Sequence, residues 1–314
     1  DNYTVTLTCE GASYQLQGSS ATEFPEFPQL EEPAPTLTLP VETLIAGLGP
    51  TLSTCATDEI KPVLSGVRFH IEENAVEFVS LDGHRLTLVK KTTPHSLQEG
   101  AVTIPGKALS ELLKLLKSGK PEQQEAKPSV TLSFNETQVT FTLPDAHLFC
   151  RSLAGAYPAY RELIPRQFQS ETNIFTQSLK EAVQRLMLLN PKSPVICLAC
   201  ERANQQVNLS SVQTELGQGI EAVPAQVSGD FHMALNGKYL LEALKSLPTK
   251  EVQLQSNFST TPAILKALTN DRDSCFVLLM PIFVQGFSEA SSETPEAPQP
   301  DENSIQLKEG RLGA

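Results

Sequence analysis

Apolar residues recur at two periods along this chain. Val130-Thr-Leu-Ser-Phe134 and Val139-Thr-Phe-Thr-Leu143 alternate apolar and polar positions, as half-buried antiparallel strands do. Leu109, Leu112, Leu113 and Leu116, and again Leu240, Leu241, Leu244 and Leu247, fall at helical spacing. The pattern predicts amphipathic helices over Ala108–Gly119 and Tyr239–Pro248, each ending at a helix breaker. Two more helices are predicted at Pro40–Leu52 and Ser178–Leu189.

The elements repeat. Val102-Thr-Ile-Pro-Gly-Lys107 opens one of the helices, and Met233-Ala-Leu-Asn-Gly-Lys238 opens another. Similar strand segments begin at Val5 (VTLT), Val130 (VTLS) and Val252 (VQLQ), a period of about 125 residues that suits whole duplicated domains rather than a solenoid. The predicted fold class is therefore α+β, built from repeated modules of antiparallel strands and paired helices. Two complete modules are expected, at residues 37–156 and 168–287, joined by a linker at 157–167. Residues 1–28 read as the last two strands of an earlier module, with a linker at 29–36. At that period about 90 residues of this module are expected before Asp1. From Ser288 to Ala314 the chain turns Pro-, Ser- and Glu-rich, which predicts a disordered acidic tail.

Composition narrows the function. The 314 residues carry 36 Asp and Glu against 24 Lys and Arg, a net charge of −12, so the chain as a whole is no basic coat for nucleic acid. The excess of cations is local. Lys107, Lys114, Lys117 and Lys120 face only Glu111 along one predicted helix. Lys180, Arg185 and Lys192 face Glu181 near a second, and Lys238, Lys245 and Lys250 face Glu242 near a third. A single basic helix is usually just a solvated face. Three at matching places suit one shared anionic partner. Trp is absent, which disfavours a base-stacking platform, and no apolar run reaches transmembrane length.

Catalytic and metal motifs are not found. The five histidines, His70, His84, His95, His147 and His232, have no zinc-protease spacing, and neither GxSxG nor a phosphate-binding loop occurs. An enzyme built on Asp82, His84 and Arg85 is the weaker reading. Cys197 and Cys200 form a CxxC in an apolar run without a second pair, which reads as two packing thiols rather than a zinc or redox site. No cofactor is expected.

Four motifs in one order resemble the bacterial sliding clamp family, the beta subunit of DNA polymerase III. They are Asp82-Gly-His-Arg-Leu86, Pro158-Ala-Tyr-Arg-Glu-Leu-Ile-Pro165, the helix start Asn236–Leu244, and Leu279-Met-Pro-Ile282. The segment Asp58–Lys90 is similar to the middle domain of that family. Glu162 stands where the family usually has Arg, and Leu81 where it usually has Thr.

The resemblance implies a head-to-tail homodimeric ring with sheets outside and helices inside. It would encircle duplex DNA without reading sequence and tether the replicative polymerase. The implied partners are duplex DNA, the alpha subunit of DNA polymerase III, the clamp loader, and other polymerases and repair proteins that bring short peptide motifs. A cytoplasmic, non-catalytic accessory subunit is implied. A partner-peptide cleft is implied at Leu64, Gly83, His84, Arg85, Leu86, Pro158, Leu163, Asn236, Tyr239, Leu278, Leu279, Met280, Pro281 and Ile282. Lys61 and Lys107 match basic positions of the family that face DNA. Tyr14 and Leu16 are expected to meet Leu188 and Leu189 of a second copy. The alternative is a clamp-like adaptor that binds partner peptides without encircling DNA.

Overall fold

Alternation becomes burial in the computed structural model of the chain. Leu37 and Leu39 point inward from β3 (Thr36–Pro40), and Val130, Leu132 and Phe134 from β8 (Ser129–Phe134). The structure describes residues 3–26, 28, 30, 34–57, 61–93, 96–118, 128–192, 194–212, 214–268 and 273–284. The predicted acidic tail, Lys120 and His95 lie outside them. The chain divides into two units. One takes the residues up to Gly83 together with Thr87–Pro158, and the other takes His84–Leu86 with the residues from Ala159 onward.

The first unit begins with an antiparallel hairpin, β1 (Thr4–Cys9) and β2 (Ala12–Gln17), turned at Gly11 with φ +82°. A complete module follows: β3, α1 (Val41–Leu52), β4 (Gly66–Glu72), β5 (Ala75–Leu81), β6 (Arg85–Thr92), β7 (Gly100–Pro105), α2 (Gly106–Ser118), β8, β9 (Gln138–Thr142) and β10 (His147–Arg151). Its strands lie in the orders β6-β5-β4-β7 and β10-β9-β8-β3. Helix α1 packs beside α2, burying Leu44 and Leu48 from one and Leu109, Leu112 and Leu116 from the other.

The second unit repeats that order: β11 (Ser170–Phe175), α3 (Thr176–Met187), β12 (Val195–Glu201), β13 (Gln206–Ser211), β14 (Ile220–Val227), β15 (Phe231–Asn236), α4 (Gly237–Ser246), β16 (Glu251–Ser256), β17 (Ala263–Ala267) and β18 (Ser274–Leu279). Its strands form one sheet, β15-β12-β13-β14-β11-β16-β17-β18. The core sits between that sheet and the paired helices α3 and α4, around Leu179, Val183, Leu198, Leu209, Met233, Leu240 and Leu265.

The duplication reaches individual hydrogen bonds. Val41 N donates to Pro128 O at 3.0 Å where α1 starts, and Thr176 N donates to Lys250 O at 2.9 Å where α3 starts. Both acceptors stand just before the strand that pairs with the module's first strand, β8 in one case and β16 in the other. The segment at Val5 is not the third member of that set. Strand β1 is followed by a single strand and then a linker, as β9 is followed by β10, so β1 matches Val139-Thr-Phe-Thr142 rather than Val130.

Three helices begin two residues before their predicted starts. Gly106 and Gly237 are the first residues of α2 and α4, and each lies too close to a neighbouring carbonyl for a side chain to sit freely. A Cβ on Gly106 would lie 3.0 Å from Ser65 O, and one on Gly237 3.2 Å from Pro194 O. The third helix, α3, ends at Met187, and Leu188 and Leu189 follow in a tightened turn, their N–H groups donating to Arg185 O and Leu186 O.

Candidate partner-binding surface

Asn236 is the residue from which this surface is built. Its side-chain oxygen accepts from Lys238 N at 2.9 Å and Tyr239 N at 3.4 Å, capping α4. An Asn at this position satisfies backbone donors that the first helical turn would otherwise leave open. The cap fixes Tyr239 in that turn, half-buried.

Two residues of the His84–Leu86 segment meet Tyr239. The His84 imidazole stacks on the tyrosine ring with centroids 6.0 Å apart and planes 25° apart. The Arg85 guanidinium lies 4.4 Å from the same ring centroid, a cation–π contact. Arg85 also pairs with Glu242, three residues beyond Tyr239 on α4. Sequence reading did not assign Glu242 to this surface, although its spacing on one helix face was the available signal. His84 O accepts from Met280 N at 2.9 Å, and Ala234 O accepts from Ile282 N at 2.8 Å. These bonds tie the segment after β18 to two places in the unit.

The apolar residues divide into support and surface. Leu86, Leu278 and Leu279 are buried, so they hold the backbone rather than face solvent. Met280 is 43% exposed, Leu163 is 50% exposed, and Pro281 and Ile282 are half-buried. The His84 imidazole and the Tyr239 ring stack on each other, and Met280 is tied to His84 through its backbone N–H; aromatic and thioether side chains pack adaptably against apolar groups. Leu64, Gly83 and Pro158 belong to the first unit. Leu64 is buried there, Pro158 is half-buried, and Gly83 is an exposed turn residue with φ +90°.

The remaining predicted residues stand apart from this cluster. Lys61 and Lys107 are solvent-exposed in the first unit. Tyr14 and Leu16 lie on the β1–β2 hairpin, where Leu16 opposes Val5 and Tyr14 opposes Leu7 in register, and all four are exposed. Leu188 is 74% exposed at the end of α3, and Leu189 is half-buried.

One group in the first unit has metal-ligand spacing among the described residues. His70, Glu72 and Glu77 bring ligand atoms within 4.8 Å of one another. The Lys90 ammonium pairs with both carboxylates, at 2.7 Å from Glu72 and 3.5 Å from Glu77, and already occupies the place beside them that a cation would take. Cys197 and Cys200 are both buried on β12. Three residues along a strand span about 10 Å, well beyond disulfide reach. Burial pushes the Cys197 thiol up to about 11, against a hydrogen bond with Ser210 that lowers it. Burial pushes Cys200 up to about 12, with Thr172 opposing and Asp230 adding. Neither thiol is a thiolate near neutral pH.

A duplicated β-α-β4-α-β3 module with the motifs above defines a protein of the DNA-clamp class. Family models confirm it: the central domain of the DNA polymerase III beta subunit matches residues 38–159, and the C-terminal domain matches residues 161–282. Among curated proteins, the beta sliding clamp of Synechocystis is 36% identical over 282 residues, covering 85% of this chain and 71% of the relative. The beta sliding clamp of Bacillus subtilis is 30% identical over 287 residues, covering 90% and 73%. Its solved sliding clamp has a TM-score of 0.79 at 29% identity, over 90% of this chain and 73% of that one. The beta subunit of Thermotoga maritima shares the fold at a TM-score of 0.77 and 21% identity, over 90% and 75%. The chain belongs to the bacterial beta sliding clamp family, the non-catalytic processivity factors of DNA polymerase III. Among the described residues no helix is long and apolar enough to cross a membrane.

Proposed function

We propose that the second unit presents the partner-peptide surface, with Tyr239, His84 and Met280 as its contact residues and Arg85, Glu242 and Asn236 as their supports. The observation that carries this reading is the double engagement of the Tyr239 ring by His84 and Arg85. A ring held in that way is pre-organised, so a peptide anchor pays little ordering entropy on docking. Leu163, Pro281 and Ile282 supply further apolar edges, and Leu86, Leu278 and Leu279 form the floor beneath them. A short motif bound here would have micromolar affinity, about −8 kcal/mol. Leu64, Gly83 and Pro158, in the first unit, are the remaining cleft positions that the family resemblance implies.

Two copies are proposed to close head to tail around duplex DNA, with Tyr14 and Leu16 of one meeting Leu188 and Leu189 of the other. Lys61 and Lys107 then attract phosphates without reading bases, and residence on DNA comes from topology. The modules proposed for this work are residues 37–156 and 168–287, with the end of another module at 1–28 and linkers at 29–36 and 157–167. The polymerase alpha subunit, the clamp loader, and other polymerases and repair proteins are the proposed peptide donors.

The test is retention on closed circular DNA, with release on linearisation and competition by a polymerase-derived peptide. A clamp is retained on the circle and lost from the linear form. Equal binding to both forms overturns encirclement in favour of a peptide-binding adaptor.

A further inference from the structure

The last described residues lie on the candidate surface itself. Met280 N donates to His84 O, and Ile282 N donates to Ala234 O, so the segment after β18 is fastened to the residue that stacks on Tyr239. Phe283 follows, 86% exposed, and Val284 is the last residue described. The ion pair at this surface is lopsided: the Arg85 side chain is 9% exposed and that of Glu242 is 46% exposed. The pair turns its cation inward and its carboxylate to solvent. Apolar contact groups therefore stand next to an acidic rim.

The sequence after Val284 has two parts of opposite character. Residues 288–303 carry Glu289, Glu293, Glu296, Asp301 and Glu302, with no Lys or Arg and no Leu, Ile, Val, Phe or Met. A stretch of that composition has no apolar surface to bury and serves as a spacer. Apolar residues and positive charge then return together, in Ser304-Ile-Gln-Leu-Lys308 and again at Arg311 and Leu312. Ile305 and Leu307 are two positions apart, so an extended peptide projects both from one side. Lys308 comes directly after them, and its ammonium complements the carboxylate that Glu242 presents. Ile305 stands 21 positions after Val284. A flexible chain of that length has a root-mean-square span of about 25 Å, enough to return to the surface it leaves.

We propose that residues 304–308 of this chain's own tail dock on the surface around Tyr239, His84 and Met280, with Ile305 and Leu307 as apolar anchors and Lys308 beside Glu242, and so compete with partner peptides. The inference rests on the partner-peptide reading of that surface and names a competitor carried by the chain itself. A short tether holds its end at an effective concentration in the millimolar range. A segment with an intrinsic affinity of about 0.1 mM then fills the surface most of the time and weakens an incoming peptide about tenfold. Partners with tight motifs still displace it, while weak apolar peptides are kept off.

The test uses NMR of the full chain with isotope-labelled methionine methyl groups. The chain's methionines are Met187, Met233 and Met280. Met280 reports on the surface, while buried Met233 and the core-packed Met187 serve as internal references. Wild type is compared with the double variant Ile305→Ser, Leu307→Ser. The Met280 signal is expected to differ between the two proteins while the references stay, and an unlabelled peptide of residues 302–312 is expected to return the variant's signal saturably to the wild-type position. The same peptide, fluorescently labelled, is expected to bind the double variant about tenfold more tightly than wild type, whose own tail competes with it. A Met280 signal that is alike in both proteins, yet moves with a polymerase-derived peptide, overturns the tail's docking and leaves the partner surface standing. A Met280 signal that neither peptide moves overturns both readings. A wild-type signal that changes with protein concentration shows docking from a second copy and overturns the tethered arrangement.

Discussion

The His84 and Tyr239 rings stack 6.0 Å apart although 155 positions separate them in the chain. The stack leaves the tyrosine ring fixed on one side by an imidazole and on another by the Arg85 guanidinium. Truncating a pre-organised aromatic at the centre of a peptide surface typically costs about 2 kcal/mol or more, roughly thirtyfold in affinity. Tyr239→Ala is expected to weaken a polymerase-derived peptide by that factor in fluorescence anisotropy, with thermal stability nearly retained. Tyr239→Phe keeps the ring and is expected to stay within threefold. Equal affinity in all three proteins would remove Tyr239 from the surface.

Glu77 is buried in the first unit, and Lys90 reaches both it and Glu72. Lys90→Met leaves the buried carboxylate without its cation, an expected loss of about 1–3 kcal/mol in urea unfolding. The pH dependence follows from the lysine. Its hydrogen bond to Glu72, with smaller charge contributions from Glu72 and Glu77, outweighs burial and raises its pKa above the ordinary 10.5. The charged form is thus favoured by folding, so its stabilisation is complete below pH 10.5 and fades as pH rises through the raised value. The gap between wild type and Lys90→Met is expected to be constant from pH 7 to 9 and to close at higher pH. A gap that widens there would contradict this ion pairing.

Much of this fold is legible in the sequence because burial imposes periods on it. Leu109, Leu112 and Leu116 announce α2, and the alternation at Val130 announces β8. The helix starts at Gly106 and Gly237 are less legible. A glycine there reads as a breaker, and only the tertiary approach of Ser65 and Pro194 carbonyls explains it. The segment at Val5 misleads for a related reason: Val-Thr-Leu-Thr fits any half-buried strand, and strand order alone assigns it to the β9 position. At the candidate surface, the motifs supply His84, Arg85 and Tyr239. Glu242 becomes apparent only when Arg85 is seen to reach α4. The Lys90 cluster joins residues from three strands, which no local pattern encodes.

Gly47 shows how tightly α1 lies on the sheet of the first unit. A Cβ there would stand 2.5 Å from Cδ2 of Phe78, a ring with no exposed surface. Replacing a mid-helix glycine by alanine ordinarily gains up to about 1 kcal/mol of helix propensity. Here the overlap forces the ring or the helix to move, at a cost of about 1–3 kcal/mol. Gly47→Ala is expected to lower the unfolding midpoint, while Gly49→Ala, with nothing within 4 Å of its Cβ, is expected to raise or preserve it. The pair is its own control, since both changes lie in the same helix.

The six cysteines should separate cleanly by reactivity. Cys9 is exposed on the hairpin, while Cys197 and Cys200 are buried within β12. Burial holds Cys55 near 12, with the Asp82 charge adding to it, and holds Cys150 near 11. The attacking species in alkylation is the thiolate, so a high pKa and poor access act in the same direction. Brief iodoacetamide treatment of the folded protein at pH 7.5 is expected to label Cys9 first, with Cys55 and Cys150 far slower and the β12 pair unlabelled by peptide mass mapping. Urea should equalise all six. Mild oxidation should leave Cys197 and Cys200 as free thiols, because strand geometry keeps them about 10 Å apart. An intramolecular disulfide between them, formed without unfolding, would show that β12 opens on its own and would restore a redox reading of the motif.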